Sequence, residues 1–177
     1  MIRTSKKMIS AVVAGLFAAA SGAALAQPGP SDAQIAGIVV AANTVDVDAG
    51  KLAEKMASQK EVKAFAKQMI TDHEAVNQQA GALVKKLNIT PENSDVSKDL
   101  KNGGDENVTK LKQLSGKAFD KAYVDHEIVY HQAVLDALDK TLIPNAKNGE
   151  LKDLLVKVRP AFVAHLEHAK HIQSSMK

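Results

Sequence analysis

Residues 149–174 read GELKDLLVKVRPAFVAHLEHAKHIQS. Leu151, Leu154, Leu155, Val158, Phe162, Leu166, Ala169 and Ile172 recur at spacings of three and four. That is the repeat of one face of an α-helix. Asn148-Gly149 opens the segment, and Pro160 inside it is expected to kink the helix or free one carbonyl. His165 falls among Ala161, Phe162 and Leu166, so the apolar face carries an ionisable group.

The same pattern recurs upstream. A helix over 32–57 carries Ile35, Ile38, Ala42, Val45, Ala49, Leu52 and Met56, opened by a Ser31-x-x-Gln34 capping box. Ser58-x-x-Glu61 reads as a second box, starting a helix over 59–88 with Phe65, Met69, Val76, Ala80, Leu83 and Leu87 inward. A third helix, 116–141, places Phe119, Tyr123, Tyr130, Val134, Ala137 and Leu138 on its inner face, with Leu142-Ile143-Pro144 as its stop. Residues 89–115 are a polar connection punctuated by Gly103-Gly104, with a short helix over Glu106 to Leu114. No useful stretch alternates with period two. The expected fold is all-α: an antiparallel four-helix bundle in one domain, 32–175, with a long connection between helices two and three. A ferritin-like crossover and a simple up-down order are both open.

The chain's first residues carry a different message. Arg3, Lys6 and Lys7 precede an apolar run from Met8 to Ala20, and Ala24-Leu25-Ala26 is a small-x-small site. Residues 1–26 thus read as a cleaved Sec signal peptide and 27–31 as a lead-in, placing the mature protein in the periplasm. An uncleaved membrane anchor is the weaker alternative. No cysteine follows the run, so no lipid anchor is expected. Of the 23 basic residues three lie in this leader; the remaining 20 match the 20 acidic ones. A neutral mature chain with no Trp offers nothing electrostatic or stacking for nucleic acid. Having no cysteine, it also has no disulfide, thiolate zinc site or iron–sulfur cluster.

The polar residues on the apolar faces are the informative ones. His73 lies in the arc of Met69, Val76 and Ala80; His131 lies near Val124, Val134 and Leu138; Asp46 lines up with Val39 and Ala53. With His165, these four sit near the middle of four helices, hence at one height. Three imidazoles and one carboxylate suit zinc, copper or a mononuclear iron, with Asp72, Asp120 or Glu127 holding the outer ring nitrogens. The alternative is a metal-free network with Asp46, Asp120 and the two tyrosines. His168 and His171 read as largely solvated. A di-iron centre is disfavoured, because the residues three before His73, His131 and His165 are Ile70, Ile128 and Phe162 rather than Glu. No phosphate loop or nucleophile elbow appears, and the reading leans against an enzyme.

Several segments, in order, resemble one bacterial family. They are Asp46-Val47-Asp48-Ala49-Gly50-Lys51-Leu52-Ala53, Glu61 to Ala66, Met69-Ile70-Thr71-Asp72-His73, Leu114 to Asp120, Tyr123, His131, Pro160 and His165. The family is the domain of unknown function 4142, often labelled predicted outer-membrane protein and grouped with ferritin-like folds. The resemblance covers about residues 32–172. It implies export, a ferritin-like bundle and inward His73, His131, His165 and Asp120, but no established activity. The family usually has Glu where this chain has Asp46 and Asp48, and a shorter carboxylate reaches about one methylene less far. The "outer membrane" label finds neither β-barrel strands nor a lipid anchor here. Two functions are expected to compete: a periplasmic bundle binding zinc or copper in storage or stress tolerance, and a non-catalytic envelope protein with a structural His network. The second would act through an envelope partner or self-association.

Overall fold

The computed structural model describes residues 29–176. The segment read as an export signal, 1–26, and the first two residues of the lead-in lie outside them. The described residues form helices and no strand: α1 (Asp32–Met56), α2 (Lys60–Lys86), α3 (Asp95–Leu111), α4 (Gly116–Ala137) and α5 (Gly149–Ser175). Between α4 and α5 lie a π-helical turn, Leu138–Leu142, and a short turn, Ile143–Asn145. Among the described residues, no helix is long and apolar enough to cross a membrane.

The core has two apolar clusters. One joins the start of α1 (Ile35, Ile38, Val39) to the ends of α2 (Val76, Ala80) and α4 (Leu135) and the first half of α5 (Leu151, Leu155). The other joins the end of α1 (Ala49, Ala53) to the starts of α2 (Val62, Phe65) and α4 (Phe119, Tyr123) and the end of α5 (Ala169, Ile172). Hence α1 and α5 run one way, and α2 and α4 run the other. Each of α1 and α5 packs against both α2 and α4. A parallel α2 and α4 need a connection that travels the bundle's length. α3 makes that journey, lying along α1.

α3 differs from the short helix expected over Glu106 to Leu114. It starts eleven residues earlier, at a Ser94–Ser97 capping box whose two hydroxyls accept from each other's backbone N–H. Gly103-Gly104, read as punctuation, lies inside it. A Cβ on Gly104 would stand 2.7 Å from a Val45 methyl, so the glycine lets α3 close on α1. This third neighbour explains why α1 buries a wider face than one stripe, with Asn43, Val45, Asp46 and Val47 all inside.

Local side-chain chemistry closes several of the helix ends, and at one expected box it does not. The Ser31–Gln34 box forms. α2 ends in a Schellman motif: Ile89 N–H donates to Val84 and Asn88 N–H to Lys85, with Asn88 at φ 52. Asn148 caps α5 by accepting from Glu150 and Leu151 N–H. The exception is the box expected at Ser58–Glu61. Gln59 is the N-cap of α2 and its side chain caps nothing. Asp120 of α4 instead accepts from Ser58 N–H at 2.8 Å, Gln59 N–H at 2.9 Å and the Ser58 hydroxyl at 2.5 Å. A carboxylate brings two acceptor oxygens, so one side chain meets three donors that a single local hydroxyl could not.

Candidate metal centre

Between the two apolar clusters, at mid-height, lie three imidazoles from three helices: His73 of α2, His131 of α4 and His165 of α5. Each is at most 2% exposed. Their ring centroids are 5.3, 5.4 and 5.6 Å apart. One ring nitrogen of each lies within 4.8 Å of those of the other two.

Which nitrogens face one another follows from their partners. The Asn43 amide nitrogen donates to the Val39 carbonyl at 2.7 Å, so its oxygen faces His73 Nδ1 at 2.7 Å. His73 therefore carries its proton on Nδ1. His131 Nδ1 donates to the Glu127 carbonyl at 3.0 Å. His165 Nε2 donates to the Asp72 carboxylate at 2.8 Å. Each ring thus spends its one proton on a protein acceptor, which fixes the tautomer. His73 Nε2, His131 Nε2 and His165 Nδ1 remain, buried and without a hydrogen-bond partner among the described residues. Three inward lone pairs with outward N–H groups held by protein acceptors is the arrangement expected of metal-ligating histidines. Burial, above all, holds the His73 and His165 pKa below the usual imidazole value, and neighbouring His131 adds to it. Neutral rings have lone pairs to offer.

Asp46 joins this layer from α1. Its Oδ2 is 3.5 Å from His73 Nε2, and with Glu127 and His131 it forms a second close group of potential ligands. Burial raises the Asp46 pKa well above the carboxylate range, and Glu127 beside it raises it further. Glu127 was expected to steady a ring from outside. Its backbone carbonyl does so, while its carboxylate lies in the interior, 0% exposed, with neither oxygen hydrogen-bonded among the described residues. Asp120 was expected in the same outer role and does not fill it, because capping α2 occupies both its oxygens. Asp72 does contact a ring, that of His165. His168 meets Gln68 and the edge of Phe65, and His171 is exposed.

One contributor, Asn43, escaped the sequence reading. Asn43 sits three residues before Asp46 on the same face of α1, a spacing that could have revealed it. Phe162 stacks on His73 at 5.1 Å and 19°. Tyr130 donates to the Ala42 carbonyl and presents its ring to His131. A cavity of about 700 Å³ between the helices reaches Asn43, Tyr130 and Phe162 from the mostly aliphatic side of the layer.

The motifs that carry this layer also place the chain. A family described as a domain of unknown function (DUF4142) matches residues 17–172. The chain belongs to that family. No curated protein and no solved structure matches it. This DUF4142 domain is therefore an all-α helical bundle whose buried His, Asp and Glu groups could hold a metal ion.

Proposed function

We propose that this is an exported, ferritin-like bundle that binds a single divalent transition metal, zinc or copper, as a storage or stress-tolerance protein of the periplasm. The ligands are His73 Nε2, His131 Nε2, His165 Nδ1 and an Asp46 oxygen. One observation carries the reading: three buried lone pairs converge, each on a ring whose proton is already committed to a neighbour. Leaving three such acceptors unpaired in a core costs roughly 1–3 kcal/mol each, a cost a bound cation would offset. A purely structural network would be expected to pair them. Export rests on the basic and apolar pattern of residues 1–26, and the ferritin-like topology on the parallel α2 and α4 joined by a returning crossover.

The test begins with protein recovered from the periplasm, its metal content measured, then stripped with a chelator. Zinc or copper at a hundred times Kd should stabilise the stripped protein by about 2.7 kcal/mol, read as a rise in melting temperature. His73→Ala should lose that rise. No shift with either metal would overturn the proposal.

A further inference from the structure

We infer that Glu127 is itself a metal donor, so that the centre presents three imidazole nitrogens and two carboxylates to one dication and accommodates manganese(II) or iron(II) as well as zinc. This rests on the metal-binding reading above and extends it to a fifth ligand and a metal class. The Glu127 carboxylate is wholly buried, and both its oxygens lack hydrogen bonds among the described residues. The donors beside it are the Tyr123 hydroxyl and the Asp46 carboxyl, and a buried carboxylate so sparsely met is costly for a core to hold. Asp46, 3% exposed, lies beside it, and the ion-pair contacts found for this pair among the described residues are with His131 and His73. No Lys or Arg appears among them to balance the two carboxylates. A divalent cation would supply the positive charge that this pair lacks among its described contacts.

Placement agrees with charge. Glu127 lies one turn before His131 on α4, and its Oε2 is 3.3 Å from His131 Nδ1, the nitrogen that its own backbone carbonyl also accepts from. Asp46, Glu127 and His131 offer ligand atoms within 4.8 Å of one another, and His131 also belongs to the imidazole group. The two groups share His131, and Asp46 of the second also lies 3.5 Å from His73 Nε2 of the first, which links them. Four-coordinate zinc has its complement in three rings and Asp46. A fifth, oxygen donor matters most to metals that favour carboxylates and higher coordination numbers, manganese and iron among them.

The experiment titrates metal-stripped protein with manganese(II), following the six-line electron paramagnetic resonance signal of the free ion. Zinc affinity is measured in parallel by competition with a chromophoric chelator. Wild type should bind one manganese(II) per chain. Glu127→Gln keeps side-chain size and removes the charge. It should weaken manganese(II) by no less than the roughly tenfold loss typical of an outer-sphere partner, while zinc falls by less than about threefold. Equal small effects on both metals, or two manganese(II) ions per chain, would overturn the inference and leave the His-based reading standing. Failure of wild type to bind either metal would sink both. Should Glu127→Gln not fold, Asp46→Asn does not replace it, since Asp46 serves both readings; Glu127→Asp does, with a manganese(II) loss larger than its zinc loss as the supporting result and equal losses as the overturning one.

Discussion

The two halves of the core solve the same packing problem differently. On one side of the histidine layer, Ala49, Ala53, Ala57 and Ala66 alternate with Phe65, Phe119 and Tyr123. Small residues let the helices close and the rings fill the space: a Cβ on Gly50 would stand 3.1 Å from the Ala66 carbonyl. The other side is built from Ile, Val and Leu, and there the cavity of about 700 Å³ lies among Ile38, Val39, Val134, Leu138 and Phe162. The tight half also carries the Asp120 cap that ties α4 to the start of α2. The lesson is a division of labour: one half fixes the helices' spacing, while the other leaves room beside the buried polar centre.

Substitutions can break or sharpen that contrast. The largest loss is expected for Phe65→Ala. Phe65 is wholly buried against Tyr123 and His168, and its truncation in a close-packed site should cost about 3–5 kcal/mol in urea unfolding. Asp120→Ala should follow. It strips two N–H groups and a hydroxyl of their acceptor, and a loss of about 2–3 kcal/mol is expected by the same measurement. A value near zero would mean that α2 recruits a local cap after all. The smallest and most telling effect is a matched pair. Ala66→Leu overfills the tight half and should cost about 1–3 kcal/mol. Ala137→Leu adds the same atoms on a helix lining the cavity, where filling space should be neutral or stabilising by up to about 1 kcal/mol. Equal losses at both positions would erase the distinction between the halves.

The legibility of the chain follows the range of the interactions. His73, His131 and His165 could be placed inward because each lies on a helix whose apolar neighbours three and four residues away declare the buried face. The first half of α3 escaped because only Ser97, Gly104, Asn107 and Leu111 are buried along the helix. A helix that docks through small and polar residues leaves no apolar stripe to read. Asp120 was assigned to the histidines because it shares their side of α4; its partners lie 61 and 62 residues away, beyond any local pattern. Glu127 was expected beside a ring nitrogen, but its angle on the helix could not say whether its carboxylate or its carbonyl would meet it.

From the sequence alone came the all-helical class, four of the five helices and the inward-facing histidines, since helical periodicity and buried apolar area act within a few turns of chain. Tertiary structure decided the rest: the path of α3, the carboxylate that caps α2, the tautomer of each ring and the meeting of Asp46 with Glu127. Those depend on which atoms distant helices bring within about 3 Å, and hydrogen-bond and ligand geometry at that scale is set only when the helices pack.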